Sequence, residues 1–169
     1  MAIFFRALRL LSMTVWVGGL VFFAFILAPT AFSTLSTPHE AGTIVGSTLR
    51  LLNTTGNTCG FLFLIATIAL WFRTAPRSRK LLPIEFLLVV VMMFATGVVQ
   101  HGIIPAMERD RIAAGGDVDT APVDSNSRRG FEHLHAISEK VEGAALLLGM
   151  ATIIMMAAER GEHRPAQTT

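Results

Sequence analysis

The chain has 169 residues, of which 52% are hydrophobic and 15% charged, against the roughly 25% charged residues of a soluble domain. That deficit places it in a membrane, and the length allows one domain, 1–169, rather than two cores joined by a linker. A net charge of +2 leaves no electrostatic footprint for nucleic acid, so the basic residues read as topology signals. The single cysteine, Cys59, excludes an intramolecular disulfide and any cysteine-cluster zinc or iron-sulfur site.

A hydrocarbon core about 30 Å thick takes about 20 apolar helical residues, and four segments come near that requirement. The first, about 10–30, follows Arg6 and Arg9 and is too long for a signal-peptide core, normally about 7 to 15 residues. Thr37, Pro38, His39 and Glu40 then read as a capping box with proline at the first helical position, so a helix begins there. Its apolar part is 51–72. Carried from Pro38 to Phe72 it would be about 50 Å long at 1.5 Å per residue, and its first half should stand outside the bilayer. The third span, 81–104, carries Glu85 near its start and His101 near its end; Glu85 is expected to snorkel to headgroups or pair with Arg79 or Lys80. Residues 108–126, with Gly115, Gly116 and Pro122, read as a mobile polar loop. The last helix should start near Asn126 or Ser127 and cross at 143–158, which is short by about a turn and keeps Glu142 at the membrane edge. The expected fold is all-α: a four-helix transmembrane up-down bundle with helices two and four extended beyond the outer face.

Positive charge orients the bundle. The connection Arg73 to Lys80 holds four basic residues and no acids, which puts it on the cytoplasmic side. Both termini then lie there too, in accord with Arg6, Arg9, Arg160 and Arg164. A compact chain without a recognisable organellar transit segment points to a bacterial cytoplasmic (inner) membrane.

Small residues mark close helix contacts in lipid: Gly42 with Gly46, Gly56 with Gly60, and Gly18 and Gly19 followed by Ala24 and Ala28. Internal packing is the plain explanation and a homo-oligomer interface the alternative. Trp16, Met92, Met93, Met155 and Met156 read as lipid-facing or core filler. Polar residues at membrane depth are costly and therefore informative. Arg50, Asn53, Thr54 and Asn57 share one face of helix two; His135, Ser138, Glu139 and Glu142 share one face of helix four; Gln100 and His101 reach the same level from helix three. These residues form a candidate polar cavity at the outer face. Arg50 is expected to grip Glu139 or Glu142 in a bidentate fork.

His133 and His135, two apart on one helix, cannot easily share a metal. His101 and His135 could approach one another with Glu139 or Glu142 as an oxygen donor, an arrangement that suits zinc, copper or haem iron. No glycine-rich phosphate loop, nucleophile elbow or paired zinc motif occurs in the sequence. The reading is a multi-pass membrane protein, in contact with the lipid bilayer, of unassigned biochemical activity. It carries no predicted cofactor and is more simply a non-enzyme; a haem- or copper-binding redox protein is the alternative.

Trp16-Val17-Gly18-Gly19, Phe22-Phe23, Ala28-Pro29, Ala41-Gly42, Val45-Gly46 and Phe131-Glu132-His133-Leu134-His135 with Ser138 together resemble the domain-of-unknown-function 4149 family, which includes proteins similar to transmembrane protein 205. The resemblance implies a four-helix membrane protein and singles out His135 and Ser138. Many proteins of that kind carry Asn where this chain has Glu142. A looser likeness is to copper-resistance D-type proteins and the membrane-bound protoporphyrinogen oxidase. The oxidase type implies a histidine on the first helix, whereas none occurs here before His39.

Overall fold

The computed structural model describes residues 1–73 and 80–161. Four helices dominate it: α1 (Ala2–Thr34), α2 (Pro38–Trp71), α3 (Leu82–Ala113) and α4 (Asn126–Gly161). All four are long and apolar enough to cross a membrane, and no strand occurs among the described residues. Most of the basic connection on which orientation rests, residues 74–79, lies outside the described residues, as does Arg164.

Sequence explains where the helices start. Thr37 Oγ1 accepts the Glu40 N–H at 3.2 Å, the first half of the expected capping box, with Pro38 at the first helical position where its missing N–H costs nothing. Ser125 Oγ likewise accepts from the Arg128 N–H at 3.3 Å, just ahead of α4. Pro29 does not end α1. The helix widens into one π-helical turn at Phe23–Leu27 and runs on to Thr34. The same device recurs in α3, where Val99–Ile103 is π-helical and Pro105 follows. A proline ring crowds the carbonyl four residues back, Phe25 or His101 here, and a widened turn lets the helix continue past it.

The segment 108–126 is not all loop, as it was expected to be. The α3 helix reaches Ala113, and only then do Gly115 and Gly116, at φ of 90° and 96°, turn the chain through a region side chains disfavour. Two arginines tie the remainder down. Arg111 donates to the Gly116 carbonyl at 3.1 Å, and Arg128 donates to the carbonyls of Asp119 and Ala121 at 3.3 and 3.1 Å. Charged side chains thus satisfy backbone groups that no regular ladder reaches.

In section the helices form a ring. Each packs on the next in sequence, and α4 closes back on α1, so α1 faces α3 and α2 faces α4 across two diagonals. Met13, Trp16, Leu20, Phe63, Met92 and Ala145 fill the middle. In lipid such burial gains little from hiding apolar surface, and close approach decides the packing. Trp16 shows how. A methyl on Gly56 would lie 2.2 Å from its indole nitrogen, and one on Gly60 would lie 3.0 Å from its ring and 2.7 Å from Met93. Trp16, fully buried, is therefore seated in a slot that two glycines open in α2. Gly18, Gly42 and Gly46, by contrast, face open space. Around this core the outer surface is apolar too, with Phe25, Leu51, Phe61, Phe94, Leu147 and Ile154 all exposed. Water would not tolerate so continuous a greasy surface; lipid requires it.

Candidate functional site

Polar side chains cross both diagonals of the ring, at different depths. Near the end where α1 starts, Arg9 of α1 donates to Glu85 of α3 in a buried ion pair. The guanidinium also lies over the Phe63 ring, 4.9 Å from its centroid, a cation-π contact strengthened by the absence of water. Glu85 was expected at the headgroups or against Arg79 or Lys80; it turns inward, fully buried, and Arg79 lies outside the described residues. A carboxylate there needs a cation that stays charged, and a guanidinium supplies one.

The second crossing lies nearer the loop end. Asn53 Nδ2 of α2 donates to Glu142 Oε1 of α4 at 2.8 Å. One turn along α2, Asn57 Nδ2 donates to the Asn53 carbonyl at 2.9 Å and to Thr96 Oγ1 of α3 at 3.2 Å. The Thr96 hydroxyl donates onward to the Met92 carbonyl at 3.0 Å. Gln100 follows Thr96 by one turn, which sets it at the level of Asn53. Four polar atoms here are buried without a hydrogen-bond partner among the described residues: Asn53 Oδ1, Glu142 Oε2, Gln100 Oε1 and Trp16 Nε1. Buried polar atoms are normally paired, and each orphan forfeits about 1 to 3 kcal/mol. Three of the four are oxygens, so the cluster is short of donors.

Other residues of the expected site do not join it. Arg50 is exposed, and Asn53 occupies the carboxylate that Arg50 was expected to hold. The reason is angular: three residues advance a helix by about 300°, leaving Arg50 about 60° around from Asn53. Asn53 shares the inward line of Gly56 and Gly60, while Arg50 sits at its edge. Glu139 is exposed and lies 3.3 Å from His135 Nε2 on its own helix. His135 is exposed and stacks on Phe131 at 6.1 Å. Ser138 is buried, with its hydroxyl donating to the His135 carbonyl at 2.8 Å. His101 is exposed in the π-turn of α3. No group of three potential His, Cys, Asp or Glu metal ligands forms among the described residues.

Sequence reading missed Thr96, Arg9 and the indole of Trp16. Thr96 carried a usable signal, since Met92, Thr96 and Gln100 recur every four residues along one face. Arg9 carried a misleading one, being a charge at the start of a span. A separate groove of about 300 Å³ opens between the end of α2 and the start of α3, lined by Thr67, Ile68, Trp71, Leu82, Pro83 and Phe86 among others. It is apolar and lies at the opposite end of α2 from Asn53.

A family model described as a domain of unknown function, DUF4149, matches residues 11–111. The chain belongs to that family. The DUF4149 match takes in Trp16, Asn53, Asn57, Glu85, Thr96 and Gln100, whereas α4, with His135 and Glu142, lies beyond the matched residues. No curated protein and no solved structure matches the chain.

Proposed function

We propose that this DUF4149 protein is a non-enzymatic, four-span protein of the bacterial cytoplasmic membrane. Its polar site at Asn53, Asn57, Thr96, Gln100 and Glu142 receives a small polar solute from the outer side. The observation that carries the reading is the gathering of four orphaned polar atoms at one level of the bundle. Polar groups left unpaired at membrane depth are costly to retain, and a bound species that donates hydrogen bonds relieves that cost.

The uncompensated basic run between Arg73 and Lys80 supports an orientation with that connection and both termini in the cytoplasm. With 34 residues, α2 is about 50 Å long against a core of about 30 Å. Its loop end and that of α4 then stand in the outer aqueous space, where the charged segment from Glu108 to Arg129 belongs. Gly42 and Gly46, where an added Cβ would meet nothing within 4 Å, offer a face for a second copy. No observation favours the haem or copper alternative, because His101 and His135 are exposed on different helices and no third ligand joins them among the described residues.

Gln100→Cys in a Cys59→Ala background tests the opening. A small membrane-impermeant thiol reagent added outside intact cells should label it. Labelling only from the cytoplasmic side, or none in denaturant-competent protein that is otherwise folded, removes the outward-facing site.

A further inference from the structure

We propose that Glu142 is a reversible proton-binding site, held at rest as a neutral carboxylic acid bonded in both directions to the Asn53 amide. The inference rests on the polar site proposed above and names its ligand.

The geometry is that of half an acid-amide pair. One bond is present, from Asn53 Nδ2 to Glu142 Oε1 at 2.8 Å. The two remaining atoms, Asn53 Oδ1 and Glu142 Oε2, are buried and lack partners, and Asn53 is wholly enclosed. Both are acceptors when the carboxyl is ionised. A single proton on Oε2 converts one of them into a donor, and Oε2–H to Oδ1 closes the ring, satisfying two orphans at once. No cation performs that task among the charged groups nearby. The α1 helix has no charged residue after Arg9, at the far end of the bundle. Arg50 of α2, His101 of α3, and Glu139 and Lys140 of α4 itself are all exposed, and Glu108 of α3 is bonded to Arg111 at 2.7 Å. An unpaired carboxylate withdrawn from water is the expensive alternative.

Release is simple to balance. The O–H bond of the acid breaks, the proton passes to a water molecule to give hydronium, and the electron pair stays on Oε2 as carboxylate. Gln100 Oε1 and Trp16 Nε1, an acceptor and a donor still unsatisfied at this level, are suited to hold that water.

Infrared difference spectroscopy of the full chain in lipid vesicles tests the proposal. At neutral pH the parent should show the carbonyl band of a protonated acid, sensitive to heavy water, that disappears in alkaline buffer and returns on neutralisation. Glu142→Gln keeps the acceptor for Asn53 Nδ2 and offers an N–H to Asn53 Oδ1, so it should stay folded and lose the band. In Asn53→Leu the band should move to higher frequency, as for an acid carbonyl that has lost its donor. That variant gives a second readout should the glutamine form fail to fold. Absence of the band in the parent, its survival in Glu142→Gln, or its indifference to pH overturns the proposal. A band that titrates while Gln100→Cys resists labelling from outside leaves the proton site standing and removes only the outward opening.

Discussion

Arg9 and Glu85 meet across a diagonal of the bundle although they are 76 positions apart in sequence. Both side chains are almost fully enclosed, at 2% and 0% exposure, and the pair joins two helices that face one another across the ring. A buried pair of this kind adds little net stability over an apolar replacement, yet removing one partner takes a bond from a charge that stays buried, at a cost of up to about 3 to 5 kcal/mol. Arg9→Met and Glu85→Leu should each lower thermal stability in detergent by an amount in that range. The double variant should lose clearly less than the sum of the two. Strict additivity would show that the two residues act independently.

Trp16 and Gly56 give a packing prediction with an internal control. Because a methyl at Gly56 would fall 2.2 Å from the indole nitrogen, Gly56→Ala must displace a fully buried tryptophan, and overpacking of this kind costs about 1 to 3 kcal/mol. At Gly18 nothing lies within 4 Å, so Gly18→Ala should leave the melting temperature unchanged or raise it, since alanine favours the helix by up to about 1 kcal/mol. Equal melting of the two variants would show that the indole is not held in the glycine slot.

The four long apolar helices, the Thr37 cap and the level shared by Asn53, Gln100 and Glu142 are legible in the sequence, because apolar runs, a cap pattern and helical spacing are local signals. Partner choice is not local. Arg50 and Asn53 both belong to the polar face of α2, and only packing decides which of them turns inward. His101 and His135 pose the same problem, since the sequence gives their depth and not their azimuth. Arg9 was hidden by a rule that is right on average: charges at the start of a span set topology and snorkel, and this one is drawn inward by a carboxylate on a helix far along the chain. The π-turns ahead of Pro29 and Pro105 were equally illegible, because proline marks a strain and does not say whether the helix ends or widens to absorb it.

Orientation yields a prediction independent of the site. In a Cys59→Ala background, Lys80→Cys and Val123→Cys place thiols at exposed positions on opposite ends of the bundle. With both termini cytoplasmic, an impermeant reagent applied to intact cells should label position 123 and spare position 80 until the membrane is opened. The reverse pattern would invert the protein and move Glu142 toward the cytoplasmic side.

The tie that Arg128 makes to the loop end predicts a local effect with no global one. Its guanidinium bonds the Asp119 and Ala121 carbonyls at 3.3 and 3.1 Å and the Glu132 carboxylate at 2.9 Å, so it staples the segment after Gly116 to the first turn of α4. Arg128→Ala frees two carbonyls that water can reach, so the loss is the modest net value of such bonds, about 1 to 2 kcal/mol, confined to that segment. Hydrogen exchange of residues 114–125 should accelerate by on the order of tenfold, while exchange in the apolar parts of α2 and α3 stays as in the parent. The melting temperature in detergent should hold, because Trp16 and the two diagonal crossings lie far from the staple. Unchanged exchange in that segment would mean that Val118, which is buried, anchors it without the arginine.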